Sequence, residues 1–226
     1  MNEAQHTLGW YRARLGNITG SMVGVIMKSG KSKTFSDTAE SYLYDVLSDR
    51  TIDPDVINDD KRLESYLLRK NITTKQIQWG IEKENEARKY YELITGRKCV
   101  EVGSCRHKTV TFFASSPDGF THDDESNISR CIEIKCPDPK QFVRYRQIET
   151  PEDLKKVKPE YYWQCMAHMA CTGAQFTDFV TYDPDQQIKI HIVPITRDEA
   201  EITSMLDRVK LANEFINNTI SKFTIF

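Results

Sequence analysis

The segment at residues 160–172 constrains the fold most, because the helix that it predicts is apolar almost all the way round. A helix of this kind has to be covered by other elements, so we expect it in the interior. Its one polar stripe comprises Tyr161, Gln164 and His168, at the helical spacing i, i+3 and i+7. The stripe either faces a wet active site or consists of hydrogen-bonded core groups, and His168 suits the structural role better than Gln164 does.

The composition predicts one folded domain over residues 1–226. The 31 Lys and Arg residues nearly balance the 33 Asp and Glu residues, which excludes a wholly basic, histone-like DNA binder. Since 39% of the residues are hydrophobic, the chain can build a core and is not intrinsically disordered. No apolar run approaches the ~18 residues of a membrane span, and the first residues lack the pattern of a signal peptide.

Charge is unevenly distributed in the first part of the chain. Residues 1–35 carry five basic side chains against one acidic side chain, and residues 36–60 carry eight acidic side chains against one basic side chain. The basic segment can attract a polyanion such as DNA. The acidic segment either contacts another subunit or repels DNA, and both segments can equally be solvated surface.

The six cysteines predict free thiols rather than a metal site. They contain no C-x-x-C pair and no His-x-x-x-His follows them, which argues against zinc and iron–sulfur centres. Several of them lie in apolar stretches, where a reduced cysteine behaves as a small hydrophobe. Their positions are 99, 105, 131, 136, 165 and 171.

The predicted elements follow the order helices, a group of strands, a helix, a hairpin and a last helix. We predict helices at residues 37–47, 77–95 and 160–172 and a last one opened by a capping box, Thr196 to Glu199. Ser21 caps a short helix, and residues 53–60 form a polar linker with Pro54 as a breaker. Strands are expected at residues 100–102, 110–114, 132–136, 176–182 and 188–195. This order predicts an α/β (α+β) fold with a central mixed β-sheet flanked by helices.

Two acids and a lysine form the clearest candidate for a catalytic site. In the predicted strand at 132–136, Glu133 and Lys135 share one face because side chains alternate. Asp118 lies in a preceding turn, and a hairpin-like return of the chain would bring it beside Glu133. Two close carboxylates repel each other, and Mg²⁺ offsets that repulsion with one or two carboxylates as ligands. The alternative is an ordinary Glu133–Lys135 ion pair on a half-exposed strand.

Glu84 and Arg14 are further candidates. Glu84 lies on the apolar stripe of the predicted helix at 77–95, where it needs a partner: either a shared metal site or Arg88 at i+4. Arg14 and Ser21 flank a helix start whose N–H groups suit an anion. The alternatives there are a surface arginine and a simple cap. The apolar residues of the stripe are Ile77, Ile81, Ala87, Tyr91 and Ile94.

Five short motifs occur in one order along the chain. They are RLGNITGS at 14–21, WGIEKENEAR at 79–88, SPDG at 116–119, EIKCP at 133–137 and YYWQ at 161–164. Taken together, the sequence resembles the lambda exonuclease (YqaJ-type viral recombinase) family of PD-(D/E)XK nucleases. The resemblance spans roughly residues 10–182 and implies a restriction-endonuclease-like fold. One departure is Gly20, where the family pattern has alanine.

The resemblance implies roles for the acidic cluster. Asp118, Glu133 and the backbone carbonyl of Ile134 would ligate Mg²⁺, as one or two ions, with Mn²⁺ able to substitute. Lys135 would position and help activate the attacking water. Glu84 would hold or orient a second metal ion or its waters.

The resemblance also implies contacts with the DNA. Arg14, Ser21 and Ser116 would form a pocket for the 5′-phosphate of the digested strand. Gln164 would support Lys135 or the region of the nucleophile. Ile77 matches an apolar wedge that helps to splay the terminal base pairs, against an unstacking cost of a few kcal/mol.

The implied activity is digestion of linear double-stranded DNA from the 5′ end. One strand would be degraded to 5′-mononucleotides, leaving a 3′ single-stranded tail for phage-type recombination by strand annealing. The implied partners are DNA ends, two further copies in a homotrimer and a single-strand annealing protein, in the cytoplasm of a bacterial host of a phage or prophage. Two alternatives stay open: an endonuclease or single-strand-specific nuclease of the same fold, and a non-catalytic module that binds DNA ends.

Overall fold

The computed structural model of the chain describes residues 3–30, 33–70, 75–122 and 128–223, without the side chains of residues 75–78 and 128. The helices within these ranges are α1 (Leu8–Arg14), α2 (Gly20–Ile26), α3 (Asp37–Arg50), α4 (Pro54–Asn58), α5 (Asp60–Lys70), α6 (Lys75–Thr95), α7 (Pro139–Tyr145), α8 (Pro151–Val157), α9 (Pro159–Thr172) and α10 (Glu199–Ile220).

The described strands form two sheets. They are β1 (Ile18–Thr19), β2 (Cys105–Arg106), β3 (Phe113–Ser115), β4 (Gly119–His122), β5 (Ile128–Lys135), β6 (Phe176–Tyr182) and β7 (Ile190–Thr196). The small sheet has the order β1-β3-β2, and the larger one has the order β4-β5-β6-β7. Strands β1 and β3 are parallel, as are β5 and β6, and the other pairs are antiparallel. The expected mixed α/β class is confirmed, with the strands divided between two sheets instead of one.

Helix α9 lies in the core, as its apolar sequence predicts. Every side chain at positions 162–169 is buried, and the helix packs against α2, α8, β3 and β6. Gly173 ends it in the left-handed conformation, with φ at 85°. The sheet around β5 therefore has two different faces. Ile132 and Ile134 pack against Ala87 and Tyr91 of α6, while the opposite face of β5 looks toward α9.

Helix caps account for three wrong expectations. The expected linker at 53–60 contains α4, because Pro54 occupies the first turn and the Asp53 side chain accepts the Asp55 N–H. Thr19, and not Ser21, is the N-cap of α2. The last helix is capped by Asp198, whose side chain accepts two backbone N–H groups, so the expected Thr196 capping box is wrong.

Two further expectations concern exposure and strand position. The expected strand at 100–102 is reduced to a single bridge between Val100 and Phe120, and the partner of β3 is β2, at residues 105–106. On α6, Ile81 and Ile94 are exposed, because only the middle of this helix packs on the sheet. The apolar stripe of α10 is buried as expected at Ile202, Met205, Val209, Ala212 and Ile216.

The cysteines and the helix lengths agree with the sequence analysis. All six cysteines are free thiols, and three of them are buried. In the part of the chain that the structure describes, no helix combines the length and the apolarity that a membrane span needs.

Helices α2 and α9 approach so closely that glycine is needed between them. A Cβ atom on Gly24 would lie 2.6 Å from the Cα atom of Glu160, a backbone atom that cannot swing away. We expect Gly24→Ala to lower the free energy of unfolding by about 1–3 kcal/mol, as overpacking does, in urea denaturation. The control is Gly80→Ala in α6, where a Cβ atom meets nothing within 4 Å. That variant should gain up to about 1 kcal/mol from helix propensity; equal stability of the two variants would contradict the packing.

Candidate active site

The C-terminal end of β5 carries an acid and a base on one face. Lys135 Nζ forms an ion pair with Glu133 Oε1; the Glu133 side chain is fully buried and that of Lys135 is 25% exposed. Strand β4 begins opposite Ile132, so the last three residues of β5 pair with β6 alone. Their other edge is therefore left for the turn that precedes β4. The pair is thus not the half-exposed surface ion pair considered above.

The turn between β3 and β4 places Asp118 against this free edge. Its backbone N–H donates to the Ile132 carbonyl at 2.9 Å, and its Oδ2 accepts the Ile134 N–H at 2.6 Å. The turn is thus bonded to β5 on both sides of Glu133. The return of the chain that the sequence predicted is present, and it brings the two carboxylates to the same end of the strand.

Each carboxylate has one oxygen that is held by the protein. Glu133 Oε2 lies 2.6 Å from Nε2 of His168, and Asp118 Oδ2 is held by the Ile134 N–H. Glu133 Oε1 is buried and, among the described residues, has the Lys135 ammonium as its ion-pair partner but no hydrogen-bond donor. Each acid therefore has one oxygen without a hydrogen-bond donor among the described residues, and on Glu133 this oxygen is the one that faces the Lys135 ammonium.

The electrostatics of the three groups are coupled. Burial raises the pKa of Asp118 well above its usual range, and the nearby Glu133 and Glu84 raise it further. Burial alone would also raise the pKa of Glu133, but Lys135 and His168 lower it on balance. Burial alone would lower the pKa of Lys135, but Glu133 and Asp118 outweigh it and raise that pKa. The site therefore contains more negative charge than its single ammonium neutralises, which favours a bound cation.

The donor set suits a hard divalent ion with few protein ligands. Within residues 3–30, 33–70, 75–122 and 128–223, no three His, Cys, Asp or Glu side chains are arranged as a metal cage. Asp118 and Glu133 supply two carboxylate oxygens, and the backbone carbonyl of Ile134 directly follows Glu133 in the sequence. Mg²⁺ uses such a set, because it keeps several waters and takes further oxygens from substrate phosphates.

Glu84 is held by Arg88, one of the two partners considered from the sequence. Arg88 Nη2 donates to Glu84 Oε1 at 2.7 Å, and its Nε donates to the Asp118 carbonyl at 3.0 Å. Burial raises the pKa of Glu84, although Arg88 acts in the opposite direction. Arg88 thereby ties α6 to the Asp118 turn. Sequence analysis identified Arg88 through its i+4 spacing but missed this second contact.

The polar stripe of α9 divides between the cavity and the core. Tyr161 and Gln164 line the cavity, and Lys135 Nζ lies 4.9 Å from the centre of the Tyr161 ring. His168 is fully buried beneath them and contacts Ser115 as well as Glu133. The sequence indicated a satisfied core histidine, but it gave no sign that one of its partners is Glu133.

Two more polar side chains face the same cavity, one from α1 and one from the turn that follows β3. Arg14 Nη1 donates to Ser116 Oγ at 2.9 Å, and its guanidinium lies 4.2 Å from the Trp10 ring centre. Burial lowers the pKa of Arg14, and no carboxylate of the described chain lies within ion-pair distance of it. A half-buried arginine without an acidic partner is suited to an anion. The Ser21 hydroxyl also lines this side.

One cavity of about 430 Å³ unites these groups. It is lined by Arg14, Ser21, Glu84, Ser116, Asp118, Glu133, Ile134, Lys135 and Gln164. These are all the predicted site residues whose side chains are described. Ile77, the expected wedge, lies outside the described side chains, and the exposed Ile81 is the apolar residue of α6 at the cavity.

Known proteins resemble the chain in sequence and in fold. The family described as YqaJ-like viral recombinase domain matches residues 9–175. The crystal structure of an alkaline exonuclease (LHK-Exo) from Laribacter hongkongensis superposes with a TM-score of 0.75 and 29% identity over 95% of each chain. The structure of LHK-Exo in complex with dAMP gives a TM-score of 0.76, with the same identity and coverage.

A more distant structure shares the fold alone. The crystal structure of a phage related exonuclease from Haemophilus somnus 129PT is 18% identical, covers 92% of this chain and 96% of its own, and has a TM-score of 0.63. No curated protein matches the sequence significantly.

The raised pKa of Asp118 makes a prediction about stability. The pKa of the Asp118 carboxyl is higher in the folded protein than in the unfolded protein, so the ionised carboxylate destabilises the fold. This destabilisation disappears as the pH falls below the pKa that the carboxyl has in the unfolded protein. We expect Asp118→Asn to raise the free energy of unfolding at pH 7.5 without divalent ions, because the neutral amide removes a buried charge that burial and the neighbouring acids disfavour. Urea unfolding from pH 7.5 to 4 should show the gain shrinking.

Glu86→Gln is the matched control for that measurement. Hydrogen bonds from Lys83 and Tyr182 lower the pKa of Glu86, so its neutralisation should bring no gain in stability. Asp118→Asn behaving like Glu86→Gln would show that the Asp118 carboxylate is not under electrostatic strain.

Proposed function

The chain belongs to the YqaJ-like viral recombinase family, and we propose that it is a Mg²⁺-dependent exonuclease acting on linear double-stranded DNA from the 5′ end. Family membership and 29% identity with an alkaline exonuclease over 95% of both chains support a DNA exonuclease. They also support the restriction-endonuclease-like fold class. The metal, the polarity and the product are the parts that this proposal adds.

The observation that carries the proposal is that the anion-binding groups and the carboxylates face one cavity. Arg14 and Ser116 can hold a terminal phosphate by charge-assisted hydrogen bonds. A strand held in this way can present its first phosphodiester to Asp118 and Glu133. A site that holds the end of a strand cleaves at a fixed distance from that end, as an exonuclease does.

The reaction is hydrolysis of a phosphodiester by water. Asp118, Glu133 and the Ile134 carbonyl would hold Mg²⁺, which would supply Lewis-acid stabilisation of the charge at phosphorus. Lys135 is held as an ammonium beside Glu133, so it orients the attacking water and stabilises the developing negative charge as a hydrogen-bond donor. Gln164 adds a polar group on the α9 side of the cavity. Glu84 would hold a second ion or orient its water molecules.

The products of the reaction explain how digestion continues along the strand. Water adds to phosphorus, the bond to the 3′-oxygen of the terminal nucleotide breaks, and that oxygen takes a proton. The products are a 5′-mononucleotide and a strand with a new 5′-phosphate. That phosphate is again a ligand for Arg14 and Ser116. The complex of LHK-Exo with dAMP, a nucleoside monophosphate, supports this product class.

Membership of the family supports a proposal for the biological setting. Digestion of one strand leaves a 3′ single-stranded tail, which a single-strand annealing protein can take up in recombination. We propose that the chain works with such a partner, as a homotrimer around DNA, in the cytoplasm of a bacterial host. Mn²⁺ is expected to replace Mg²⁺, because both prefer oxygen ligands.

Lys135→Ala tests the catalytic role of the ammonium. Since Lys135 acts on the reacting atoms and not on the strand end, we expect digestion of a linear duplex with Mg²⁺ to slow about 100- to 1,000-fold while DNA binding persists. Release of mononucleotides and a gel-shift assay measure the two effects. The control is Lys155→Ala, whose ammonium contacts Glu201 and the Tyr162 ring away from the cavity. Unchanged turnover of Lys135→Ala would refute the assignment.

The dependence of digestion on a 5′-phosphate tests the proposed 5′-to-3′ polarity. We expect a duplex with 5′-phosphates to be digested about 10-fold or more faster than one with 5′-hydroxyls, because a hydrogen bond to a charged group contributes about 1.5–3 kcal/mol. Arg14→Gln should remove this difference. Arg12→Gln, on the same helix but paired with Asp60, should retain it.

Closed circular duplex and single-stranded DNA serve as the further substrates in that assay. Cleavage of the circle would favour an endonuclease, and digestion of single strands alone would favour a single-strand-specific nuclease. End binding without digestion under any divalent ion would favour the non-catalytic module.

A further inference from the structure

A buried chain of hydrogen bonds runs behind the candidate active site. Ser115 Oγ lies 2.7 Å from Nδ1 of His168, and Nε2 of His168 lies 2.6 Å from Oε2 of Glu133. The side chains of His168 and Glu133 are fully buried, and Ser115 is buried as well. The three residues come from three elements: β3, α9 and β5.

The direction of the hydrogen bonds follows from the chemistry of the groups. A carboxylate only accepts hydrogen bonds, so Nε2 of His168 donates to Glu133. In the neutral imidazole, Nδ1 is then the acceptor, and the Ser115 hydroxyl donates to it. Glu133 thereby fixes the ring tautomer that has its proton at Nε2, and the Ser115 hydroxyl supports this tautomer by donating to Nδ1.

The consequence for Glu133 is a fixed orientation. With Oε2 held by His168 on the α9 side, Oε1 is turned toward Lys135 and the cavity. Rotation of the carboxyl group away from His168 would leave a buried oxygen without its donor, which is unfavourable. The group is therefore confined to one direction before any ligand arrives.

The residues packed around Ser115 fix the Ser115 end of this series of hydrogen bonds. A Cβ atom on Gly20 would lie 2.1 Å from Ser115 Oγ and 3.1 Å from the Cβ atom of Ala167, the neighbour of His168. Ser116, next to Ser115, points instead to Arg14 at 2.9 Å. The end of β3 thus fixes His168 on one side and holds the anion-binding arginine on the other.

We propose that His168 is a positioning residue that sets the orientation of the Glu133 carboxylate, with Ser115 supporting the tautomer of His168 that donates to Glu133. The inference rests on the proposed function in one respect, namely that Glu133 is used in a metal-dependent cleavage. His168 itself touches neither the cavity nor the substrate. It acts through Glu133, in the way that outer hydrogen-bond partners orient metal ligands.

The test compares His168→Leu, which has no donor, with His168→Gln, whose amide can still donate to Glu133. For His168→Leu we expect Mg²⁺ affinity by calorimetry and kcat on a linear duplex each to fall about 10- to 100-fold. KM for DNA ends should change less than about threefold, because Arg14 and Ser116 are untouched. His168→Gln should recover most of both losses. The control is His191→Leu, which removes the contact of His191 Nε2 with the Ile148 carbonyl and should affect stability alone.

Two outcomes would overturn the proposal. The first is His168→Leu with the Mg²⁺ affinity and kcat of the wild type. The second is His168→Gln as impaired as His168→Leu although both are as stable as the control, which would show that ring packing matters and the donor does not. If His168→Leu does not fold, Ser115→Ala decides in its place: a several-fold loss of Mg²⁺ affinity and kcat at unchanged KM supports the proposal, and no loss overturns it.

A spectroscopic measurement separates this inference from the proposed activity. Nitrogen-15 NMR of the metal-free protein should show His168 protonated at Nε2, with the signal shifted in Ser115→Ala and in Glu133→Gln. The opposite tautomer would overturn the positioning role even if the enzyme digests DNA. Conversely, a wild type that shows the expected tautomer but digests no DNA would refute the nuclease and leave the orientation of Glu133 established.

Discussion

A fully buried carboxylate, that of Glu133, is the constraint around which the site is arranged. An unpaired charge in the interior is costly, so both of its oxygens need positive or donating neighbours. Lys135 supplies one from the same strand, and His168 supplies the other from the core helix α9. Strand β5 has to extend past the start of β4 for Lys135 to reach the cavity, and α9 has to be buried for His168 to reach the acid.

The parts of this arrangement that sequence could predict are local. Alternation along β5 places Glu133 and Lys135 on one face, and the antiparallel pairing of β4 with β5 brings Asp118 beside Ile134, 16 residues further along the chain. The interior position of α9 follows from its composition alone. The contacts that sequence could not predict join distant positions: His168 and Glu133 are 35 residues apart, and Arg88 and Asp118 are 30 apart. No short pattern encodes such pairs.

The local errors have a different cause, which is competition between similar residues. Thr19 and Ser21 both suit the start of α2, and Thr196 and Asp198 both suit the start of α10. Tertiary structure decides between them, since Thr196 is already the last residue of β7. Tertiary packing also explains Gly20, which departs from the family pattern. The Ser115 hydroxyl occupies the space that an alanine methyl group at this position would need.

Helix α9 is at once the centre of the core and one wall of the cavity, and this dual position limits how the enzyme can evolve. A substitution among residues 162–169 changes packing density and site geometry together, so neither can be tuned without the other. The α6 wall of the cavity is freer, because Ile81 is exposed there. Natural diversification of preference for DNA ends is therefore expected to accumulate on that wall, with α9 nearly invariant in shape.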